Sequence, residues 1–361
     1  MRLRDPKENL QLFLTRRCQL RCRYCGLRKG RADMGLKTAL LGADYLLRSR
    51  KENLVLEYYG GEPLLAFDVM AETTAHACRR AVRLGKEISF YTATNGLALD
   101  DRKLAWMAEN RFFMELSMDG GRETHNSQRV GPGRGRDSFE AVRALIGKVR
   151  ASGVDWGVLM TCHPSNACRL EADFELLLDL GVRSFDLNYA FAAEWTFPAQ
   201  DAYFKGMLAA ARRRREDIAG GKIRIGNLWP VAEPAVINGQ LTVDTDGTIR
   251  HFNEWMFEAV PAGRASPLGF GNVHDKSDIN DVYLGRFHSA YGILRMYEGA
   301  PRTRRLILNN IAAGYRFKRF FTSLRGWVDA GCAGRFALPP ATPEWRLAGA
   351  AGPSPSSIML E

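Results

Sequence analysis

The feature that most constrains the fold is a regular alternation of short apolar runs with stretches of helical periodicity over residues 9–218. Six apolar runs predict strands at residues 9–15, 53–59, 87–94, 112–118, 154–162 and 182–190. Six helices are predicted near residues 36–50, 66–84, 100–110, 138–151, 168–180 and 199–218. Strands that alternate with helices are parallel and joined by right-handed crossovers. We therefore predict an α/β fold, a partial (βα)6 TIM-like barrel with its chemistry at the carboxyl ends of the strands.

The pattern changes after about residue 220. The segment GQLTVDTDGTIRHF, residues 239–252, predicts a hairpin around Asp246–Gly247, a pair typical of tight turns. Two more helices are predicted, near residues 278–298 and 302–325. The end of the chain is rich in Gly, Pro and Ser, which predicts poor order. We expect three parts: a barrel over 1–220, a smaller α+β extension over 221–345 and a flexible tail over 346–361.

The bulk composition is that of an ordinary globular protein. Of the 361 residues, 46% are apolar and 25% are charged, which suffices for one large or two moderate domains. No apolar run has the length of a signal peptide at the start of the chain or of a membrane span elsewhere. Three of the seven cysteines cluster as metal ligands do, and their spacing is unlike a disulfide framework. We therefore expect a cytoplasmic protein without a membrane-spanning segment.

The net charge of +11 favours acidic partners in general. Basic runs occur at residues 211–217 and 302–320. Solvated helix faces account for these runs more simply than a nucleic-acid site does. Nucleic-acid binding is therefore not expected, whereas an acidic peptide or a phosphorylated substrate stays open.

Three cysteines lie in the sequence LTRRCQLRCRYC, as Cys18, Cys22 and Cys25 with C-x3-C-x2-C spacing. They belong to the loop after the first predicted strand, which places them at a carboxyl end of the barrel. Zinc is one candidate, but structural zinc is usually held by four protein ligands, and His76 is the nearest histidine in sequence. Three thiolates on one loop suit three corners of a four-iron cluster and leave one iron open. Incidental thiols are disfavoured, because clustered cysteines flanked by arginines would be oxidised readily without a ligand role.

This pattern, with Tyr24 directly before the last cysteine, resembles the radical S-adenosylmethionine superfamily. The resemblance implies that Cys18, Cys22 and Cys25 hold one [4Fe-4S] cluster, whose open iron binds the methionine part of S-adenosylmethionine. It further implies reductive cleavage to a 5′-deoxyadenosyl radical, which takes hydrogen from a substrate. The protein then contributes placement and electrostatics.

The segment YYGGEPLL, residues 58–65, resembles the GGEP motif of that superfamily. The resemblance assigns Gly60, Gly61, Glu62 and Pro63 to the amino group of S-adenosylmethionine. Glycines allow close approach of the backbone, proline stiffens the turn, and the carboxylate offsets the ammonium charge. An ordinary strand-to-helix turn is the alternative. Asn95, in TATNG after the third strand, is a further candidate ligand, although Asn-Gly is also simply a turn pair.

After the fourth strand, LSMDGGRETHNSQR resembles the S-x-DG…H-x3-R pattern of radical enzymes that modify peptides and sulfatases. Ser117 is implied to bond the ribose or carboxylate of the cofactor, and Arg129 to pair with the carboxylate. Asp119 is expected to orient the loop or the substrate. The family usually has Asp after the histidine, and here that residue is Asn126. We expect His125 to be a hydrogen-bonding loop residue.

The second half resembles the SPASM region of the same enzymes in outline. Phe252 stands where the hairpin of that region carries a cysteine, and Cys332 is the only cysteine after Cys168. We therefore predict a SPASM-like region without auxiliary-cluster ligands, because one thiolate cannot hold a cluster. Redox-neutral chemistry such as epimerisation gains weight from this prediction.

Epimerisation needs a second hydrogen donor, typically a thiol, and Cys162, Cys168 and Cys332 are the candidates. Cys162 ends the fifth strand and is expected to point at the barrel opening, with a small buried hydrophobe as the alternative. Binding of a metal by the segment CHPSNAC, residues 162–168, is a weaker possibility. Glu254 and Glu194 are candidate acids or bases near the barrel opening.

Three functions remain open. The first is a radical enzyme that acts on a peptide or protein, and the second applies the same chemistry to a small molecule such as a sugar, nucleotide or amino-acid derivative. The third is an iron-sulfur or zinc protein that binds nucleic acid. The resemblance implies an external electron donor, flavodoxin or ferredoxin. No leader-binding domain fits before the barrel, so a separate leader-binding protein is a possible further partner.

Overall fold

The computed structural model describes residues 8–131, 137–228, 234–237, 240–260, 269–282, 286–331, 336 and 338–339. Within these residues the chain forms one large sheet flanked by helices, which confirms the predicted α/β class. The strands are β1 Asn9–Thr15, β2 Asn53–Gly60, β3 Glu87–Thr94, β4 Phe112–Ser117, β5 Asp155–Cys162, β6 Ser184–Tyr189, β7 Arg224–Ile225, β8 Leu241–Val243 and β9 Ile249–His251. All six predicted strands are present as β1–β6.

The sheet has the order β7-β6-β5-β4-β3-β2-β1-β8-β9 within the described part of the chain. Every neighbouring pair is parallel except β8 and β9. The carboxyl ends of β1–β6 therefore meet at one edge, which we call the mouth. The sheet is open between β7 and β9, so the barrel is partial, as predicted.

The helices are α1 Leu36–Leu47, α2 Phe67–Arg83, α3 Asp101–Glu109, α4 Arg122–Gln128, α5 Ser138–Arg143, α6 Ile146–Ala151, α7 Leu170–Asp179, α8 Phe197–Arg213, α9 Arg215–Ala219, α10 Phe252–Trp255, α11 Arg286–Met296 and α12 Pro301–Asp329. Local sequence explains several starts. Asp100 accepts a hydrogen bond from the N–H of Lys103 at 2.8 Å and so caps α3. Thr196 caps α8, with Pro198 in the first turn.

Alternation along the strands separates two faces of the sheet. In β2, Leu54, Leu56 and Tyr58 are buried against the helices, whereas Glu57 and Tyr59 on the opposite face are half-buried. The inner face of the barrel is therefore partly open, and large apolar side chains fill the space between sheet and helices. Two apolar clusters form this core, one around β1–β3 with α1–α3 and one around β4–β6 with α7, α8 and α12.

The predicted hairpin forms as β8 and β9, with Gly247 at a φ of +87° in the turn. It does not form a separate layer, because β8 pairs with β1 in parallel and extends the barrel sheet. The predicted boundary near residue 220 thus lies within a shared sheet. The predicted helix at 278–298 is a helix only over Arg286–Met296 among the described residues, with a single helical turn at Ile279–Asp281. The predicted tail, 346–361, lies outside the described residues.

In the part of the chain that the structure describes, no helix combines the length and apolar character needed to cross a membrane.

Candidate active site

The cysteine loop, residues 16–30, leaves the end of β1 and lies between two other loops of the mouth. On one side the N–H of Arg21 donates to the carbonyl of Val130 at 2.8 Å. On the other side the N–H of Glu62 donates to the carbonyl of Arg17 at 2.8 Å. The loops after β1, β2 and β4 are therefore joined by main-chain hydrogen bonds, and the predicted site residues of all three lie together.

The thiols of the cysteine loop are half-buried and close to two cations. Burial raises the pKa of Cys18 and raises that of Cys22 to about 11. The ammonium of Lys29 opposes this rise in pKa at both thiols, and the guanidinium of Arg129 opposes it at Cys22. Cys25 raises both pKa values further, so its side chain is near enough to each of the other two to repel it as a thiolate. Such thiols are held in the thiolate form when they coordinate a metal.

Within the described ranges, no three Cys, His, Asp or Glu side chains converge closely enough to bind one metal ion. A single zinc ion needs all its sulfur ligands about 2.3 Å from one point. In a four-iron cluster each thiolate binds a different iron, so the ligands stand further apart. A four-iron cluster therefore does not need the close convergence of ligands that a single zinc ion needs.

The GGEP turn, residues 60–63, packs directly against the cysteine loop. Gly60 has a φ of +125°, and a Cβ there would lie 2.3 Å from the carbonyl oxygen of Thr15. A Cβ on Gly61 would lie 2.2 Å from the carbonyl oxygen of Arg17 and 3.1 Å from the Cβ of Cys18. Only glycine fits these two positions without moving the backbone. The turn therefore lies against the part of the cysteine loop that begins at Arg17 and Cys18.

Glu62 joins the mouth ends of β2 and β3. Its side chain is 1% exposed and accepts hydrogen bonds from the hydroxyl of Thr94 at 2.7 Å and from the N–H of Asn95 at 2.8 Å. Burial raises the pKa of Glu62 to about 7, and these hydrogen bonds act against the rise in pKa. Pro63 begins the helical turn that follows. The carboxylate thereby holds Asn95, whose Nδ2 lies 3.6 Å from the sulfur of Cys18.

Asp119 connects the loop after β4 to the cysteine loop. One of its oxygens accepts from the hydroxyl of Tyr24 at 2.7 Å, and the other accepts from Arg129 Nη2 at 2.9 Å and from the N–H of Thr161 at 3.0 Å. The guanidinium carbon of Arg129 lies 5.5 Å from the ring centre of Tyr24. Ser117 is buried at the end of β4, two residues before this network. Asp119 therefore joins the loop after β4 to the cysteine loop and to β5.

Three buried polar atoms near this network have no hydrogen-bond partner among the described residues: Arg129 Nε, His125 Nε2 and Gln128 Oε1. An unsatisfied buried donor or acceptor costs about 1–3 kcal/mol. A polar ligand next to Arg129 would remove part of that cost. The residues of the site therefore fit both the iron-sulfur cluster and the S-adenosylmethionine that the resemblance implies. Three thiols on one loop suit the cluster. Lys29 and Arg129 suit the negative charge of the cluster and the carboxylate of S-adenosylmethionine.

The segment of residues 254–259 packs on the cysteine loop just after its last cysteine. The N–H of Ala259 donates to the carbonyl of Gly26 at 2.7 Å. A Cβ on Gly26 would lie 1.6 Å from the carbonyl oxygen of Met256, so no other residue fits at this position. The extension of the chain beyond the barrel is therefore packed against the cysteine loop.

The described residues predicted to be catalytic lie in different places: Cys162 is in the apolar core, and Glu254 begins the segment that packs on the cysteine loop. Cys162 is 5% exposed and belongs to the apolar core, where burial raises the pKa of its thiol well above the usual value. Its side chain lies on the helix-facing side of β5 and does not point at the mouth. The alternative interpretation, that Cys162 is a small buried hydrophobic residue, therefore describes it better. Cys168 is exposed on the following turn, and Cys332 lies outside the described residues. Glu254 is buried on α10.

One ion cluster at the mouth was not predicted. Arg16, on the cysteine loop, pairs with Asp244 after β8 and with Glu258, which lies 2.7 Å from one of its guanidinium nitrogens. Arg250 of β9 contacts the same two carboxylates at 3.4 and 3.3 Å. Partners more than 220 residues apart in sequence have no local signal, so only the tertiary structure reveals this cluster.

A second unpredicted set lines the inner face of the barrel. The hydroxyl of Tyr59 donates to that of Tyr91 at 3.1 Å, and Tyr91 donates to Glu115. Burial raises the pKa of Glu115, and the nearby carboxyl of Asp186 raises that pKa further. The inner positions recur with a period of two along each strand, so polar alternation was the signal that could have identified them.

We expect His125 to make the protein less stable in acid. Burial lowers the pKa of His125 from 6.5 to about 4 in the folded chain. As the pH falls from 6.5 to 4, the unfolded chain therefore binds a proton at this residue while the folded chain does not, and the free energy of unfolding decreases. Replacing His125→Asn should remove about 3 kcal/mol of this decrease, measured by urea unfolding at several pH values between 4 and 7.

The matched control is His274→Asn, because His274 is exposed. Its unfolding curve should keep the pH dependence of the parent protein. If the His125 and His274 variants lost stability in parallel with the parent over that range, the assignment of the acid effect to His125 would be wrong.

Comparison with known proteins gives a consistent set of relatives. Residues 12–177 match the model of the radical SAM superfamily. The cysteine-type anaerobic sulfatase-maturating enzyme of Clostridium perfringens is 27% identical over 158 residues, which is 42% of each chain. The PqqA peptide cyclase of Gluconobacter oxydans is 25% identical over 207 residues, 56% of this chain and 54% of that protein. The chain thus spans about half the length of these curated relatives.

The fold is also similar to solved structures. That of native anSMEcpe with bound AdoMet superimposes with a TM-score of 0.68 at 17% identity, covering 89% of this chain and 99% of that chain. At this level of identity the likeness establishes a shared fold. It includes the extension beyond the barrel, which the family match does not reach.

Proposed function

Because residues 12–177 match the model of the radical SAM superfamily, we propose that this protein is a radical S-adenosylmethionine enzyme that acts on a peptide or protein. The observation that carries the proposal is the convergence of three loops at the mouth. The cysteine loop, the GGEP turn and the loop that contains Asp119 and Arg129 are hydrogen-bonded to one another. Each contributes the residue types that an iron-sulfur cluster with an amino-acid ligand requires.

In this proposal Cys18, Cys22 and Cys25 hold a single [4Fe-4S] cluster as thiolates. The chemistry that such a cluster supplies when bound is one-electron reduction of the sulfonium of S-adenosylmethionine, which yields methionine and a 5′-deoxyadenosyl radical that takes a hydrogen atom from the substrate. Lys29 and Arg129 reduce the energetic cost of gathering three thiolates. An external one-electron donor is required.

The remaining site residues are proposed to bind and orient the cofactor. The glycines of the GGEP turn admit the backbone to close contact, and Pro63 stiffens the turn. Glu62 acts as a positioning residue, because its carboxylate oxygens are occupied by Thr94 and Asn95. Asn95, Ser117 and Arg129 are the proposed polar contacts to S-adenosylmethionine. Asp119 and Tyr24 hold Arg129 in place.

The substrate class is supported by the relatives. A sulfatase-maturating enzyme and a PqqA peptide cyclase both have a protein or peptide in their names. The inner face of the barrel carries tyrosines and carboxyl groups, which suit a polar substrate of either class. Because of the relatives, we favour a peptide or protein over a small metabolite.

Anaerobic reconstitution of the purified chain tests the proposal. We expect about four irons per chain and formation of 5′-deoxyadenosine when dithionite and S-adenosylmethionine are added. One zinc per chain without this product would contradict it. A deuterated peptide that transfers its label to 5′-deoxyadenosine would identify the substrate class, whereas transfer only from small metabolites would favour the other class.

A further inference from the structure

Positive charge is concentrated on the cysteine loop and the residues just after it. Residues 16–33 contain seven Arg or Lys and one Asp, a net charge of +6 out of +11 for the whole chain. More than half of the excess charge thus lies in eighteen residues around the three thiols. The other basic runs of the chain, residues 211–217 and 302–320, lie on helices outside the cysteine loop.

Part of this charge is already compensated within the protein. Arg16 is paired with Asp244 and Glu258, and Arg17 with Asp33. Arg21, Arg23 and Arg31 are different: their side chains are exposed and make no ion pair or hydrogen bond with any described residue. These three arginines therefore present uncompensated charge to the solvent.

Their position relative to the thiols is fixed by the main chain. Arg21 and Arg23 flank Cys22 in sequence, and their N–H groups donate to the carbonyls of Val130 and Gln128 at 2.8 and 2.9 Å. Val130 is 37% exposed beside them, an apolar side chain next to a charged rim. A protein seated on Arg21, Arg23 and Val130 would therefore lie directly over the loop that carries Cys22.

We propose that the surface formed by Arg21, Arg23 and Val130 is the docking site of an acidic one-electron carrier protein. The inference rests on the proposed function, which needs an electron at the cysteine loop. Any polyanion can bind a basic patch, but only a reductant gains from binding within a few residues of a cluster ligand. A small interface with a charged rim also suits a brief encounter, because charge complementarity accelerates association without strong binding.

The electron balance is simple. The reduced carrier loses one electron, the sulfonium of S-adenosylmethionine gains it, and one carbon–sulfur bond breaks to give methionine and a 5′-deoxyadenosyl radical. The radical takes a hydrogen atom from the substrate and becomes 5′-deoxyadenosine, which leaves the unpaired electron on the substrate. Each event consumes one reduced carrier, so the carrier must leave before the next one binds.

The test uses the double variant Arg21→Glu/Arg23→Glu of the full chain and a strongly acidic flavodoxin as probe. The matched control is Arg79→Glu/Arg83→Glu, which makes the same change in charge on exposed residues of α2 at the end of the barrel opposite the mouth. For each protein, the rate of 5′-deoxyadenosine formation with reduced flavodoxin is divided by its rate with dithionite. A loss of cluster or cofactor binding then cancels from the ratio.

We expect the ratio to fall at least about 10-fold in the Arg21/Arg23 variant and to stay within about 2-fold in the control, with the loss largest at low salt. Equal ratios in both variants would overturn the proposal. The proposal would also be overturned if the Arg21/Arg23 variant kept the ratio of flavodoxin-driven to dithionite-driven rate but lost dithionite-driven turnover of a peptide. The surface would then bind the substrate.

Direct binding separates this proposal from the proposed function. If the parent protein made no 5′-deoxyadenosine with dithionite, the function itself would have failed. Flavodoxin binding to the reconstituted proteins, measured by calorimetry, would still decide the docking site. Binding weakened by Arg21→Glu/Arg23→Glu and not by the control supports the surface, whereas equal binding by all three proteins rejects it.

Discussion

Replacing Cys22→Ser is expected to reduce bound iron from about four atoms per chain to below about one and to lower 5′-deoxyadenosine formation by more than about 100-fold. The thiolate is the iron ligand, and a serine hydroxyl is not deprotonated near neutral pH. Arg129 is the largest charged influence on the pKa of Cys22, and it keeps its ion pair with Asp119 in the variant. Iron is measured after anaerobic reconstitution, with the electron paramagnetic resonance spectrum of the reduced protein as a second readout.

The matched control is Cys168→Ser, because Cys168 is exposed on the turn after β5 and is not part of the cysteine loop. It should keep the iron content and the product rate of the parent protein. If the Cys22 variant bound as much iron as the Cys168 variant, the cluster would have to be held elsewhere, and the proposed site would be abandoned.

Gly61→Ala is expected to give the second large effect, a loss of about 3 kcal/mol or more in the free energy of unfolding together with reduced iron content. The added Cβ would lie 2.2 Å from the carbonyl oxygen of Arg17, and backbone cannot yield as a flexible side chain does. The turn must therefore move away from the cysteine loop. That movement breaks the hydrogen bond from the N–H of Glu62 to Arg17, which joins the two loops.

Gly147→Ala is the control for this prediction. Gly147 lies in α6, and a Cβ added there would meet no described atom within 4 Å outside its chain neighbours and helix backbone, so alanine should stabilise the helix by about 0.5–1 kcal/mol. Urea unfolding and iron analysis on both variants give the comparison. A Gly61 variant as stable and as rich in iron as the Gly147 variant would show that the close packing of the turn on the loop is dispensable.

Much of the barrel could be predicted from sequence because each strand is a short apolar run between turn residues. The limits of β1–β6 are predicted to within two residues. The helices were less regular than predicted. The helix expected at 138–151 is two helices, α5 and α6, and the one at 199–218 is α8 and α9. Periodicity continues through such breaks, so pattern alone does not locate them.

The candidate site, like the barrel, was predicted only in part from the sequence. Motif spacing predicted that Cys22, Gly61 and Asp119 lie together, because the carboxyl ends of parallel strands share one edge. It did not predict that Glu62 would be occupied by Thr94 and Asn95, nor that Cys162 would face the helices. Cys162 shares its face of β5 with Val158 and Met160, so the alternation along the strand sets its direction.

Sequence alone determined the order of the βα units, the three-thiol loop and the glycines of the GGEP turn, because each depends on neighbours within a few residues. Only the tertiary structure decided that β8 pairs with β1 and that Arg16 meets Asp244 and Glu258 beside the cysteine loop. Contacts between residues more than about 200 positions apart arise from the packing of whole elements, and no local pattern encodes them.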